Sequence, residues 1–474
     1  MNSINQQTSR SIESTKLIRM RLKAYPVSNG MNSILYKISK FFLYLTPLCL
    51  AVVTNSTFFP FVVGKYVWFR ICVDLALIFF SLAFIFSSDK ESTARKAWDF
   101  VKSPLSIAVG IFTVVFLLAG FFGINPHLSF WSNFERGEGG FQILHLYLFF
   151  VLAGVLFKNK DDWKRMMGVF LAGALGVILY GLMVPSEFFH FISGFSNPNI
   201  RFQGSLGNPA YAAACFLFAF FYCLFLLLTD FRGQFGSRKG RLLIFLSAVF
   251  FLFFILSGTR GAFAGFLVSL LVFLGYFVFR SPARKKILTI LLILFLIAIT
   301  FVYLNNSGFL NITKNYRVFD FSLTDKSFTD RLIVWNVAWN GFLARPVLGW
   351  GPENFPQVFA ANFNPDYFKP GQDFGTWFDR AHSIVFDSLA ETGALGFLSF
   401  MAIFFIFFWQ FFKSSKSDSG AELDVEPFLV KALLLSVPVA YLVQGLVLFD
   451  TLPIYLNLFF FLALSTGYLF KKRL

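Results

Sequence analysis

The sequence predicts an all-α protein, a polytopic membrane helix bundle of about 12 transmembrane helices with one large loop subdomain outside the bilayer. Of its 474 residues, 57% are hydrophobic and only 14% are charged. A soluble domain is roughly 45–50% apolar and about 25% charged, so this chain carries more apolar surface than a water-soluble core can bury. Unbroken apolar runs such as 287–302 exclude the alternating strands of a membrane β-barrel.

The predicted spans are stretches of about 20 apolar residues, the length at which a helix crosses a bilayer. They lie near 41–57, 66–87, 104–123, 142–158, 166–185, 208–229, 242–257, 262–280, 287–305, 394–412, 428–448 and 454–470. The predicted organisation is a basic N-terminal tail over 1–40, the first nine helices over 41–305, a large loop over 306–381, three helices over 382–470 and a C-terminus over 471–474. The polar start favours a retained first span over a cleaved signal.

The net charge is +16, from 41 Lys and Arg against 25 Asp and Glu. In a soluble protein this excess would indicate nucleic acid as a partner. Here the basic residues cluster in loops between apolar spans, which is the positive-inside pattern of membrane proteins. We therefore expect a lipid bilayer and no nucleic acid as the partner, with both termini in the cytoplasm and the large loop outside.

The four cysteines and four histidines show no metal-binding spacing, and the sequence has no HExxH or DxD motif. Disulfides and zinc sites have little support, and no cofactor is expected.

Residues 306–381 form the one long segment between predicted spans. Loops longer than about 15 residues are usually functional or disordered. Apolar side chains at helical spacing argue against disorder: Leu332, Trp335, Trp339, Phe342 and Leu343. The pattern predicts an amphipathic helix over 331–343, ended by Pro346, in a folded subdomain. The sequence leaves open whether this helix is a simple surface helix or covers a substrate.

Basic residues also occur singly in loops predicted to face outside, against the topological bias: Lys65, Arg136, Arg201 and Arg260. Arg260 lies in the shortest of these connections, so its guanidinium must stay close to the bilayer surface. Arginine presents fixed donors that suit phosphate oxygens, so converging arginines would form an anion site at headgroup depth. The alternative is that each one contacts lipid phosphate or pairs with a neighbour such as Glu135 or Glu138.

His382 lies where the long loop re-enters the membrane. An imidazole there, with Asp379, Asp387 and Glu391 nearby in sequence to orient it, could accept a proton from a hydroxyl near neutral pH. A lone histidine is also often structural, and its spacing does not decide between the two roles.

These residues resemble the O-antigen ligase and O-antigen polymerase superfamily of bacterial membrane glycosyltransferases. The ligase pattern of His, Ser, nine residues and Gly-x-x-Gly is met by His382, Ser383, Gly393 and Gly396. Further stretches that are similar to the family lie at 64–65, 133–139, 201–204, 207–209, 257–261, 331–335 and 349–355. The resemblance extends from about residue 45 to residue 465 and includes the large loop before the histidine.

The resemblance implies transfer of a glycan from an undecaprenyl-diphosphate carrier, without a metal and with inversion at the sugar carbon, on the outer face of the bacterial cytoplasmic (inner) membrane. His382 would be the catalytic base, and Arg380 beside it a second anion contact. The residues that would bind the diphosphate are Arg260, Arg201, Arg136 and Lys65. Arg331, Asp379 and Glu135 are expected to support the site.

The acceptor stays open at this point. Lipid A core would make the protein a ligase, a growing glycan would make it a polymerase, and a protein hydroxyl would make it an O-oligosaccharyltransferase. A wall polymer as acceptor would make it another attachment enzyme. The His-Ser motif favours a ligase. Two other classes compete with the enzyme: a flippase for lipid-linked oligosaccharides, since many spans suit alternating access, and a scaffold in which His382 is inert.

Overall fold

The computed structural model describes residues 29–185, 200–231, 234–280, 326–363, 377–416 and 425–469, with isolated positions between 188 and 300 and residue 365. Over these ranges the chain forms helices and turns and no β-strand, which confirms the all-α prediction. Eight of the described helices are long and apolar enough to cross a membrane, and three further apolar helices are shorter. The predicted span 287–305 lies largely outside the described residues, so the count of about 12 spans stays a prediction.

The helices are, in chain order, α1 (Asn29–Leu45), α2 (Val63–Ile85), α3 (Lys90–Val101), α4 (Pro104–Phe121), α5 (Pro126–Trp131), α6 (Gly140–Leu156), α7 (Lys160–Met183), α8 (Pro209–Asp230), α9 (Arg238–Leu256), α10 (Arg260–Arg280), α11 (Lys326–Ala344), α12 (Phe355–Ala361), α13 (Ile384–Lys416), α14 (Val425–Gly445) and α15 (Leu452–Leu464). Short 3₁₀ turns follow α1 at Thr46–Ala51 and precede α8 at Gly204–Leu206.

Helix α1 begins before the apolar run that predicted it, so residues 29–40 are helical rather than part of a polar tail. The reason is that its polar side chains find partners in the bundle. The Asn32 amide donates to the Phe86 carbonyl at 2.8 Å, and the Ser39 hydroxyl donates to the Ala76 carbonyl at 2.7 Å. The lower hydropathy of this segment therefore did not mark the end of the helix.

Helix α13 also begins earlier than its predicted span at 394–412. Its first turns carry Asp387 and Glu391, which lower the local hydropathy, and the apolar run starts only after a break at Gly393. Gly393 has the left-handed backbone angle φ 66°, so the helix is kinked there. His382 consequently lies directly before α13, and the segment between it and Gly393 is helical.

Phenylalanine, with 72 copies, supplies much of the packing between helices and of the exposed surface. Phe149, Phe216 and Phe459 are fully buried, whereas Phe245 and Phe405 are exposed.

Where two helices approach most closely, glycine replaces the aromatic side chains: a methyl group at Gly265 of α10 would lie 2.7 Å from a backbone oxygen of α14. Small residues at such crossings are typical of helix packing in membranes.

The connections between helices meet at two ends of the bundle. At the first, the Asp162 end, Lys40 pairs with Asp162 at 2.7 Å and Lys164 pairs with Asp230. At the second, the His382 end, hydrogen bonds join connections that are distant in sequence. Ser129 donates to the Pro352 carbonyl at 2.8 Å, and the Ile384 amide donates to the Leu448 carbonyl at 3.1 Å. The candidate site lies at this second end.

Candidate functional site

His382 lies in a tight turn that leads into α13. Its φ of 55° is left-handed, which is uncommon for a residue other than glycine and is often found at functional sites. Asp387 stabilises the turn, because one of its carboxyl oxygens accepts from the Ala381 amide at 2.6 Å. Its own amide donates to the Ser383 carbonyl at 2.8 Å. Asp387, expected to orient the imidazole, therefore orients the backbone on either side of it.

One ring nitrogen of His382 has a fixed role. Nδ1 lies 3.1 Å from the Arg380 carbonyl oxygen, and a carbonyl can only accept, so Nδ1 carries the hydrogen. In the neutral ring, Nε2 then holds the lone pair that can accept a proton. Burial lowers the pKa of His382, and the nearby positive charge of Arg331 adds to this effect. The imidazole is therefore neutral near pH 7, as a general base requires.

Two aromatic rings and an ion pair surround this imidazole. The rings of Phe378 and Phe449 meet it edge to face, with centroid distances of 5.5 and 5.0 Å. The guanidinium of Arg136 lies over the ring of Phe449, 5.1 Å from the ring centroid. The Nε of Arg136 donates to Asp379 at 2.6 Å. Phe449 thus connects Arg136 to His382.

Arg136 is already neutralised in part. Its Nη2 lies 2.6 Å from the Asp379 carboxylate and 3.8 Å from the half-exposed carboxylate of Glu135. The sequence-based expectation that Arg136 binds an anion, with Asp379 and Glu135 in support, is consistent with an arginine held in place by these acids. An incoming anion would share Arg136 with Asp379.

Arg380 is not the second anion contact that the sequence indicated. Its side chain is buried, and its Nη1 donates to both carboxyl oxygens of Glu391, at 2.8 and 2.7 Å. Its Nη2 binds Glu353 and lies 3.8 Å from Glu138. Burial alone would lower the pKa of Arg380, but these carboxylates outweigh it and raise that pKa well above the ordinary value. The guanidinium therefore joins Glu391 and Glu353 within the protein.

The carboxyl groups around Arg380 join connections at the His382 end. Glu138 accepts from the Leu452 amide at 3.0 Å, at the start of α15. Glu353, at a left-handed φ of 67°, accepts from the Ser132 hydroxyl at 2.7 Å. Ser132 in turn accepts from the Glu138 amide at 3.1 Å. The four connections at 132–138, 353, 380 and 452 are therefore fixed relative to one another.

A cavity of about 50 Å³ lies against this cluster, and Glu138, Glu353, Asp387, Glu391 and Asp450 are among the residues that line it. Burial raises the pKa of Glu138 to about 8 and that of Asp450 to about 7. Burial thus makes these carboxyl groups harder to ionise than exposed ones, and for Glu138 the positive charge of Arg380 opposes this effect.

The Gly-x-x-Gly part of the motif has a structural reason. A methyl group at Gly393 would overlap the Val347 carbonyl and approach the Gly349 nitrogen to 2.7 Å. Across this contact, the Trp350 amide donates to the Ala390 carbonyl at 3.0 Å, and the Gly351 amide donates to the Glu391 carbonyl at 2.8 Å. The glycines let the 349–351 segment pack against the kink of α13, directly beside the carboxylate that binds Arg380.

The predicted helix is confirmed as α11, but its buried face is formed by Val334, Val337 and Ala338. The predicted apolar face was wrong in part, because Leu332, Trp339 and Leu343 are exposed. Helix α11 packs against the turn that carries the histidine. The Trp335 indole donates to the Ala381 carbonyl at 3.0 Å and stacks on Phe386 with a centroid distance of 5.2 Å. Arg331 lies one turn earlier on the same helix and is half-buried. The helix therefore brings Arg331 close enough to act on His382.

The structure brings Arg201 and Arg260 to one turn. The Phe202 amide donates to the Leu256 carbonyl at 3.1 Å, and a methyl group at Gly258 would lie 3.1 Å from the Arg201 side chain. Arg260 follows directly as the first residue of α10. The next residue, Gly261, packs against Val447, which adjoins the Leu448 carbonyl bound by Ile384. The two arginines thus connect to the His382 turn through 447–448.

Lys65 has a different environment from the one expected. Its side chain is 2% exposed, and its ammonium donates to the carbonyl oxygens of Val52 and Ser205, the latter at 2.7 Å. The sequence expectation of a diphosphate contact is therefore corrected: a buried ammonium that satisfies two backbone carbonyls joins the start of α2 to the turn before α8.

Fold and site together define an all-helical membrane protein that holds a neutral histidine at the start of a kinked membrane helix. Residues 242–401 match the family model described as O-antigen ligase. The match includes Arg260, Arg331 and His382 and confirms the resemblance to the O-antigen ligase superfamily, whose members are glycosyltransferase-like membrane proteins. The search of curated proteins found no match to the chain.

Sequence reasoning missed Phe449 and Asp450, and it quoted the 349–355 stretch without giving Glu353 a role. A phenylalanine among 72 gives no signal of its own. Asp450 did give a signal in the sequence, since it is an acidic residue between two long apolar runs. Such residues are expensive in or near a membrane and deserve a functional hypothesis by default.

Proposed function

We propose that this protein is a metal-independent, inverting glycosyltransferase of the O-antigen ligase type. It moves a glycan from an undecaprenyl-diphosphate carrier to an acceptor hydroxyl. The observation that carries the proposal is the geometry of His382: its Nδ1–H is bound to the Arg380 carbonyl, which leaves Nε2 as the proton acceptor. The family match over residues 242–401 supports the substrate class.

In the proposed reaction, Nε2 of His382 removes the proton from the acceptor hydroxyl as its oxygen attacks the anomeric carbon of the donor sugar. The bond from that carbon to the diphosphate oxygen breaks, and its electron pair leaves with the diphosphate. Attack from the face opposite the leaving group inverts the configuration at carbon. A positioned base of this kind contributes roughly 10²- to 10⁴-fold to the rate.

The leaving diphosphate gains negative charge as its bond breaks. Arg260 and Arg201, brought to one turn, are proposed to stabilise this charge with their guanidinium donors. Arg136, whose charge is shared with Asp379, is proposed to bind the same group more weakly. Among the described residues, no group of His, Cys, Asp and Glu side chains could hold a metal ion.

The proposed orientation puts the His382 end outside the cytoplasmic membrane of a bacterium. It rests on the basic residues near the Asp162 end, such as Lys40, Lys158 and Lys164, because Lys and Arg are enriched in cytoplasmic loops. The diphosphate headgroup and the acceptor would then meet outside, where His382 lies.

The acceptor is proposed to be a lipid A core, with a growing glycan or a protein hydroxyl as the alternatives. The first experiment incubates the protein in nanodiscs with undecaprenyl-diphosphate oligosaccharide and each acceptor in turn, with mass spectrometry as the readout. We expect free carrier and a new glycoconjugate with one acceptor for the wild type and neither product for His382→Ala. An intact donor with every acceptor in both proteins would contradict the proposal and favour a flippase or scaffold.

Metal independence is tested in the same assay. Transfer should continue in excess EDTA, because the arginines supply the positive charge. Complete loss in EDTA that Mg²⁺ or Mn²⁺ restores would overturn this part of the proposal.

A further inference from the structure

Asp74 is an acidic residue at the centre of a membrane-spanning helix. It is the midpoint of the 23-residue α2, which is about 35 Å long at 1.5 Å per residue and so matches a bilayer. Its side chain is 53% exposed. Val67, Ile71 and Ile78 are exposed on the same face at helical spacing. Asp74 thus lies in the middle of an otherwise apolar surface, which we call the α2 stripe.

One of the two carboxyl oxygens of Asp74 already has a hydrogen-bond partner inside the bundle. Oδ1 lies 3.1 Å from Nε2 of His145, which is buried. Nδ1 of His145 lies 2.7 Å from the Phe141 carbonyl and must donate to it. The contact with Asp74 therefore needs a second proton, either on Nε2 with an ionised carboxylate or on Oδ1 with a neutral ring. In both cases the pair has no net charge, which suits a bilayer.

The other oxygen, Oδ2, has no hydrogen bond within the part of the chain that the structure describes. Arg70, one turn away on α2, interacts with Asp74 through its charge, but its hydrogen bonds go elsewhere: its Nε donates to Gln142 and its Nη2 to the Gly137 carbonyl, both at 2.7 Å. In either protonation state of the pair, Oδ2 can accept a hydrogen bond. Water does not supply a donor in hydrocarbon, and ionisable residues there are rare and functional.

We propose that the α2 stripe binds a transmembrane helix of a partner protein that presents a neutral hydrogen-bond donor, such as Asn or Gln, near its own midpoint. A neutral donor satisfies Oδ2 and keeps the Asp74–His145 pair uncharged. A second copy of this chain fits less well, because a two-fold α2 contact would place Asp74 against Asp74, acceptor against acceptor. Ile71 and Ile78 would pack on either side of the polar contact.

The test uses the full chain, labelled with a fluorescence donor, in phospholipid vesicles. The probes are two acceptor-labelled polyleucine peptides of about 20 residues. One carries Asn at its centre and the other carries Leu, and both are diluted until they are monomeric. Energy transfer is measured for the wild type, for Asp74→Leu, and for Asp99→Leu as the same substitution away from the α2 stripe.

We expect the Asn peptide to bind the wild type and Asp99→Leu roughly 3- to 30-fold more tightly than the Leu peptide. This preference should disappear in Asp74→Leu. Equal binding of both peptides, or a preference that survives in Asp74→Leu, would overturn the proposal. Energy transfer between two labelled copies of the chain that depends on Asp74 would also overturn it, in favour of a second copy.

Discussion

Nδ1 of His382 lies 3.1 Å from the carbonyl oxygen of Arg380, and this contact joins the proposed base to a buried ion-pair cluster. The Arg380 side chain binds Glu391 of α13 and Glu353 of the connection between α11 and α12. The position of its carbonyl, and with it the direction of the imidazole, therefore depends on residues that never contact a substrate. Such second contacts commonly fix the tautomer of a catalytic histidine.

The role of His382 as a base can be separated from its role in the turn by replacing it with Asn. Asn tolerates the left-handed backbone, and its amide can donate to the Arg380 carbonyl as Nδ1 does, but it has no counterpart to Nε2. We expect His382→Asn to lose about 10²- to 10⁴-fold in transfer rate. Its melting temperature in detergent should stay near that of the wild type.

The matched control for this variant is His127→Asn. His127 is exposed on α5, at the same end of the bundle. It should transfer at the wild-type rate. If His382→Asn also transferred at that rate, the base would have to be a different residue.

The pH dependence of transfer should report the pKa of His382. A base must be unprotonated, so the rate falls as the pH drops through this pKa, which burial holds below the ordinary value of 6.5. The positive charge of Arg331 also lowers it. Arg331→Gln should therefore raise the pKa and move the acid limb of the rate profile to higher pH.

Arg331→Lys is the control, because it keeps the positive charge on α11. Its acid limb should stay close to that of the wild type, whatever happens to the rate itself. A limb that moves equally in both variants, or in neither, would mean that the charge of Arg331 does not act on the base.

The carboxyl groups of the cluster should differ in their effect on stability. Glu391→Gln removes a charged partner that binds Arg380 through both oxygens, and breaking a buried ion pair in this way costs about 3–5 kcal/mol. Glu138→Gln should cost much less, because Glu138 lies 3.8 Å from Arg380 and its bond from the Leu452 amide can be kept by the amide oxygen of Gln.

Thermal melting in detergent at pH 7 compares the two variants directly. A clearly lower melting temperature for Glu391→Gln than for Glu138→Gln is expected. The opposite order would show that Glu138, and not Glu391, balances the charge of Arg380.

Much of the fold was predictable because hydropathy marks apolar helices well. It failed where polar residues continue a helix, at residues 29–40 of α1 and in the first turns of α13. In both segments polar side chains have hydrogen-bond partners inside the bundle, as the Ser39 hydroxyl has in the Ala76 carbonyl. A hydropathy pattern records only how apolar a residue is and gives no information about such partners.

The site was predictable as a set of residue types but not as a set of roles. Sequence position brought Arg380 next to His382, yet the guanidinium points into a buried cluster with Glu353 and Glu391. Lys65 was conspicuous because it is a basic residue in a predicted outer loop, but two backbone carbonyls bind it. A charged residue beside an apolar span has a free-energy cost that the sequence reveals. Only the fold shows whether a protein group or a ligand compensates for that charge.

The kink in α13 gives a last prediction. Gly393 has φ 66°, and any side chain there would meet the backbone of 347–349. Gly393→Ala should therefore displace the 349–351 segment from Glu391, lower the melting temperature and reduce transfer. Gly168→Ala in α7 is the control, since an added methyl group there meets no atom within 4 Å and alanine favours the helix by about 1 kcal/mol. If both variants melted and transferred like the wild type, the kink would not be needed to hold Glu391 and the histidine turn in place.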